Sequence, residues 1–306
     1  MAKSKTSTSD LLRRLVSRPR SGGRKRGGPD SLWRFIAAAA GGLAAGAGAA
    51  HLLYTQGHKV GVDLRQERPL GLAHCVRIAR PFLGDEDFVM HLGDNIVEDG
   101  VAAMADEFRA HRSDAHLAVA RVTDPRAFGV AEVDTDGTVR ALVEKPRRPR
   151  SDLALIGVYF FRAAVHRAVA AITPSARGEL EITDAVQWLV DHSGSVTAGT
   201  YSGYWRDTGS PGALLECNRR LLLSLTPRTA GWTDAESRLT GPVVVAEGAR
   251  VVRSHITGPV VIGPGAQVTD CKLGPGVSVG RDSVLSEADL ADCVVLDGSV
   301  VTGGRR

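Results

Sequence analysis

The sequence predicts an α/β domain built on a mostly parallel sheet, followed by a short left-handed parallel β-helix. Two observations carry this. Strand-like and helix-like runs alternate from about Gly57 to Leu223, and beyond Leu239 a pattern of glycine corners and valine pairs repeats at a nearly constant interval. With 306 residues and 43% hydrophobic content, the chain can bury one large core or two modest ones, which excludes a disordered protein.

The first stretch, residues 1–56, differs in texture from the rest. Residues 1–31 hold nine Lys and Arg against Asp10 and Asp30, so the net charge of +4 belongs to this end, and nucleic-acid binding by the whole chain has no support. It passes into FIAAAAGGLAAGAGAAHLLY at 35–54, which carries no charge but is mostly Ala and Gly. These residues contribute little transfer free energy, so membrane contact is not expected there, and residues 1–56 read as a poorly ordered or loosely helical extension.

Four apolar runs suit buried strands: FVMHL, AHLAVARV, LIGVYFF and SVTAGTY. Between and around them, LGLAHCVRIARPF, EDGVAAMADEFRAHR, LEITDAVQWLVDH and PGALLECNRRLLLSL have helical period, which places helices over a sheet. FGVAEVDTDGTVRALVEKP is a hairpin turning at Asp136-Gly137. In the last region GPVVVAEGARV (241–251) is matched by GPVVIGPGAQV (258–268), and more loosely by GPGVSVGRDSV (274–284). The offsets of 17 and then 16 residues suit coils of a hexapeptide-type β-helix. The expected divisions are 1–56, 57–230 and 238–306.

Cys75, Cys217, Cys271 and Cys293 form no CxxC pair, which suits a reducing, cytoplasmic setting. The histidines lack zinc-ligand spacing.

Ligands of an open α/β sheet gather at the carboxyl ends of strands. Asp94, after FVMHL and Gly93, stands at such an end. It either caps a helix begun by DNIVEDG or offers a ligand to a metal or phosphate. Asp207, in YWRDTGSP, poses the same choice, and two such acids could hold magnesium if they converge. Glu144 and Lys145 of VEKP end a hairpin strand, where a carboxylate can accept sugar hydroxyls and an ammonium can face a phosphate, or the two are an exposed pair. Glu179, Glu181 and Asp184 of GELEITD could equally be acids favoured at a helix start.

RQERPLGLAHC, FVMHLGDN, FGVAEVD, VEKP, LIGVYFF, GELEITD and YWRDTGSP, in this order, resemble the sugar-1-phosphate nucleotidyltransferases, most closely glucose-1-phosphate thymidylyltransferases with an appended β-helix. The resemblance implies a Rossmann-like nucleotidyltransferase sheet and transfer of a nucleotidyl group from a nucleoside triphosphate, dTTP favoured and UTP possible, to glucose-1-phosphate, releasing pyrophosphate. It implies that Gln66, Pro69 and Gly71 face the base and that Asp94 and Asp207 bind Mg2+. Gly129, Glu144, Lys145 and Gly157 would contact the sugar phosphate, with Glu179 or Glu181 nearby. Asp94, Asp207 and Lys145 are then the catalytic set, and a homo-oligomer is expected.

The family's opening signature, G-G-x-G-T-R-L-x-P-L-T, is absent ahead of Gln66; the nearest candidate is SGGRKRGGP at 21–29. The sheet is therefore expected to be N-terminally incomplete and residues 1–56 foreign to it. Two alternatives accompany the enzyme reading: a catalytically inactive relative with an assembly or regulatory role, and a hexapeptide-repeat acyltransferase.

Overall fold

The computed structural model describes residues 50–53 (by backbone alone), 66, 68–192 and 194–303, which divide into two compact units between Asp207 and Thr208. In the first unit the elements run β1 (Ala50–Leu53), α1 (Leu72–Leu83), β2 (Phe88–Leu92), β3 (Asn95–Val97), α2 (Ala102–His111), β4 (Ala115–Arg121), β5 (Gly129–Val133), β6 (Val139–Glu144), β7 (Leu153–Phe161), α3 (Ala164–Ala171), α4 (Ile182–Asp191), β8 (Val196–Thr200) and β9 (Trp205–Asp207). The main sheet has the order β1-β2-β7-β4-β8, with β5 joined to β7 and β6 to β5.

All nine residues of β7 are buried, because both faces of the sheet are covered. Tyr159 and Phe161 pack in one cluster with Val76 of α1, Val165 of α3 and Val186 of α4. Val158 and Phe160 pack in another with Met104 and Phe108 of α2. Double coverage explains why FVMHL and LIGVYFF read as continuous apolar runs.

It also explains a correction. The described pairs β1–β2, β2–β7, β4–β7, β5–β6 and β5–β7 are antiparallel, and only β4–β8 is parallel. A strand buried on both faces has the same hydrophobic pattern in either direction, so its sequence carries no direction signal.

Most of the expected extension over 1–56, and with it SGGRKRGGP, lies outside the described residues. Its tail, Ala50–Leu53, forms β1, pairing Ala50 with Leu92. Among the described residues no helix is long and apolar enough to cross a membrane. The hairpin turns as expected: Gly137 takes φ +86°, its N–H donates to the Asp134 carbonyl at 3.0 Å, and the Thr138 N–H donates to Asp136 Oδ1 at 2.9 Å.

The second unit opens with α5 (Pro211–Leu222). Ser210 caps it, its hydroxyl accepting from the Ala213 N–H at 3.3 Å, and Pro211 occupies the first turn, where its missing N–H leaves no bond unmade. A parallel β-solenoid follows. Its strands stack on three faces, two of five strands and one of four. Val243, Val260 and Val277 stack on one face, Val251, Val268 and Leu285 on the next, Ile256, Leu273 and Leu290 on the third.

The expected shortening of the repeat is misplaced by one coil. Val260 pairs with Val277, an offset of 17, and after these coils the offset falls to 16 where Ser278 pairs with Val294. Matching the GP corners at 258 and 274 had suggested the earlier position. A slip of one residue would have turned Val277 and Val279 outward, and the core selects the register that keeps them in.

On the face carrying Val244, Val261 and Ser278, even the residues absent from the solenoid core are buried. There α5 docks: Asn218 Nδ2 donates to the Gly276 carbonyl at 2.9 Å, and its Oδ1 accepts from Ser278 Oγ at 2.6 Å. Both side chains are about 1% exposed or less. Asn218→Ala is expected to destabilise this unit by about 1–3 kcal/mol, since it leaves a buried carbonyl and hydroxyl unpaired. Urea unfolding followed by far-UV circular dichroism measures it.

Candidate active site

Asp94 does not cap a helix. The residues after it, Asn95–Val97, form β3, which pairs antiparallel with β9 in a two-stranded sheet of its own. Asn95 lies opposite Asp207 in that register, so Asp94, the turn residue just before β3, and Asp207, the last residue of β9, stand at the same end of the pair. Asn95 is 5% exposed and its amide is engaged at both ends: Nδ2 donates to Asp94 Oδ1 at 2.9 Å, and Oδ1 accepts from Trp205 Nε1 at 2.8 Å.

Gly157, midway along β7, takes φ +75°, and a Cβ there would meet Asn95 Cγ at 2.9 Å. Only glycine satisfies both the backbone angle and the close approach. Tyr159, two residues on, is buried; burial first, then the Glu144 and Asp94 carboxylates, push its phenol well up.

Glu144 ends β6 directly opposite Gly129, the first residue of β5. A Cβ on Gly129 would meet Leu155 Cδ1 at 2.7 Å, Thr183 Cγ2 at 2.8 Å and Glu144 Oε2 at 3.2 Å. Thr183 Oγ1 donates to Glu144 Oε2 at 3.2 Å. Lys145 takes the left-handed conformation, φ 44°, held by its N–H donating to the Phe128 carbonyl at 3.0 Å; its ammonium lies 3.9 Å from Glu144 Oε1. The Lys145 side chain also borders an open basin of about 600 Å³ with Asp124, Arg126 and Arg147.

Arg177, in the loop before GELEITD, gathers the acids. Its guanidinium lies 3.4 Å from Glu144, 3.5 Å from Glu179 and 3.6 Å from Glu181. Glu181 is 6% exposed and accepts from Ser175 Oγ at 2.9 Å, whereas the Glu179 side chain is a third exposed. Glu181 therefore belongs to the interior of the cluster and Glu179 to its rim.

Burial, then the Glu181 carboxylate, hold the Glu144 pKa above its ordinary value of 4.5, against the opposing pull of Lys145, the Thr183 hydroxyl and Arg177. A raised pKa means that Glu144 is lost as an anion at a higher pH than an ordinary glutamate. Glu144 should therefore take up its proton as pH falls through a value above 4.5. Glu181→Gln, which removes the like charge, should move that titration to lower pH, as read from the carboxyl carbon shifts of glutamate in NMR spectra.

At the other end, Gln66 Nε2 donates to the Gly71 carbonyl at 3.1 Å and to His74 Nδ1 at 2.9 Å, while its Oε1 makes no hydrogen bond among the described residues. Gly71 takes φ +96°, and a Cβ there would strike the Leu180 carbonyl oxygen at 2.4 Å. The backbone explains the closeness: Ala73 N–H donates to Leu180 O at 3.0 Å and Leu180 N–H to Leu70 O at 2.8 Å. Leu180 sits between Glu179 and Glu181, so the segment of Gln66, exposed Pro69 and Gly71 is bound to the acidic cluster through one residue.

The nucleotidyl transferase family model matches residues 49–223, more than half of the chain. The chain belongs to the nucleotidyl transferase family. A glucose-1-phosphate thymidylyltransferase of Streptomyces griseus is 53% identical over 241 residues, covering 79% of this chain and 68% of the relative. Another, of Streptomyces antibioticus, is 47% identical over 254 residues, covering 82% and 71%. A low-salt glycan biosynthesis nucleotidyltransferase of Haloferax volcanii is 42% identical over 259 residues, covering 83% and 72%.

In this nucleotidyltransferase the residues the sequence singled out fall into three groups: Asp94 and Asp207 near Gly157 of β7, Glu144 and Lys145 with Gly129, Glu179 and Glu181, and Gln66, Pro69 and Gly71 tied to that cluster through Leu180. Sequence reasoning missed Arg177, Thr183 and Trp205. Each lies inside or one residue beyond a quoted motif. The available signal for Arg177 was a single cation standing before three acids in ARGELEITD.

Proposed function

We propose that this chain transfers a thymidylyl group from dTTP to glucose-1-phosphate, releasing pyrophosphate. The observation that supports the reading is the β3–β9 register, which pairs Asn95 with Asp207 and so puts Asp94, the residue before β3, at the same end of this sheet as Asp207, the last residue of β9. The names of the Streptomyces relatives support dTTP over UTP.

The donor set fits magnesium. Two carboxylates at adjacent strand ends suit a small hard cation that takes few protein ligands and fills its shell with water and phosphate oxygens. Asp94 and Asp207 would hold it, and its charge would offset that developing on the transferring phosphate. Glu144 accepts sugar hydroxyls. Lys145 and Arg177, both partly exposed on the same cluster, face the sugar phosphate. Gln66 Oε1 accepts the N3–H of a pyrimidine base, a group common to thymine and uracil.

The sugar phosphate oxygen attacks the α-phosphorus in line; that P–O bond forms as the bond to the β-phosphate oxygen breaks and pyrophosphate leaves with the electron pair. The nucleophile is already an anion, so the protein needs no general base and works by positioning and charge complementarity.

A second reading has one specific support: the absence of the G-G-x-G-T-R-L-x-P-L-T signature from this sequence. On that reading the chain binds nucleotide sugar without turnover and serves assembly or regulation. Incubation with glucose-1-phosphate, dTTP and magnesium, with pyrophosphate followed over time and UTP in parallel, separates the two. Turnover with dTTP upholds the enzyme. Nucleotide-sugar binding without pyrophosphate release overturns it in favour of the second reading.

A further inference from the structure

Asn95 raises a question that the proposed chemistry leaves unanswered. It is a polar side chain, 5% exposed, placed between an indole and a carboxylate at the tip of β3. We propose that Trp205 and Asn95 are positioning residues: the Trp205 indole N–H fixes the orientation of the Asn95 amide, and that amide fixes the carboxylate of Asp94 for magnesium. The proposal rests on the magnesium reading above.

The chain of orientation follows from donor chemistry. An indole nitrogen only donates, so the amide edge 2.8 Å from Trp205 Nε1 must be the oxygen. The opposite edge is then necessarily the NH2, and it faces Asp94 Oδ1 at 2.9 Å. Were the amide reversed, its oxygen would oppose a carboxylate and its NH2 would oppose the indole N–H, two repulsive contacts in place of two hydrogen bonds. With one carboxylate oxygen held, the plane in which Asp94 presents the other is set.

Packing keeps the amide in place. Gly157 leaves room for it, since a Cβ there would lie 2.9 Å from Asn95 Cγ and 3.0 Å from Nδ2. Below it, His91 Nε2 lies 2.9 Å from the Asn95 carbonyl oxygen. Trp205 is anchored separately, its ring meeting Phe128 edge-on at 5.3 Å. It also stands two residues before Asp207 on β9, so the strand that supplies the second carboxylate also orients the first.

The test is Mn2+ binding, read from the free-ion electron paramagnetic resonance signal of the full chain, for wild type, Trp205→Phe, Asn95→Ala and the double variant. Trp205→Phe keeps an aromatic ring on the strand beside Phe128 while deleting the N–H donor, at the cost of a smaller ring. Each single variant is expected to bind Mn2+ about tenfold more weakly, as outer hydrogen-bond partners of metal ligands commonly do when removed. The double variant is expected to bind no more weakly than Asn95→Ala, because Trp205 acts through Asn95.

Wild-type affinity in Trp205→Phe, or additive losses in the double variant, would overturn the relay while leaving the magnesium reading standing. No Mn2+ binding by wild type would overturn both. If Trp205→Phe loses its native circular dichroism, Asn95→Ala decides alone: unchanged Mn2+ affinity there overturns the proposal, and a tenfold loss with a native spectrum upholds it.

Discussion

Asp94→Asn and Asp207→Asn are each expected to lower kcat/KM for pyrophosphate release by at least about 10²-fold. Each removes half of the carboxylate charge at the β3–β9 tip. A bound metal contributes several kcal/mol of transition-state stabilisation, and each 1.4 kcal/mol is a factor of ten. The substitution preserves side-chain size, and in Asp94→Asn the amide oxygen can still accept from Asn95 Nδ2, so the fold should be retained. Two readouts check this: a thermal midpoint close to wild type, and Mn2+ binding reduced in parallel with turnover. An Asp94→Asn variant with wild-type turnover would remove this carboxylate from the proposed chemistry.

The largest stability effect is expected at Phe161. Its side chain is fully buried in β7, the strand flanked by β2 and β4, with its ring 5.5 Å from Phe88 and 6.0 Å from Tyr159. Phe161→Ala should cost about 3–5 kcal/mol, the sum of lost burial and the cavity left among rings that cannot collapse onto it. Urea titration followed by near-UV circular dichroism gives the value. A loss below about 1 kcal/mol would mean that the cavity refills. Because α1, α3 and α4 pack on the same cluster, the variant should also loosen the acids at the start of α4.

Much of the fold was legible in the residues. FVMHL, AHLAVARV and LIGVYFF became β2, β4 and β7, and Asp136-Gly137 became the hairpin turn, since apolar runs and turn glycines act locally. The repeat in the last third became a solenoid, because each coil must present the same inward valines to its neighbours. Short elements were not legible: α3 has only eight residues, and β3 and β9 have three each. A three-residue strand has no period to read and exists only because a partner is there to pair with it.

The candidate site divides along the same line. Glu144 and Lys145 were legible as the end of a hairpin strand, and only the resemblance of VEKP, in order with the other motifs, singled them out from an exposed ion pair. Arg177 did not, because its position depends on where three carboxylates meet after the chain has folded.

By itself the sequence determined which residues are buried strands, where the chain turns, the interval of the solenoid and which acids stand at strand ends, since all of these follow from side-chain period and backbone freedom within a few residues. Only the tertiary structure decided that the sheet is mixed, that Asp94 immediately precedes a strand paired with β9, and that Glu144, Glu179 and Glu181 meet at Arg177. Strand direction and the meeting of distant side chains are set by hydrogen-bond pairing and packing between segments far apart in the chain, and no local pattern encodes them.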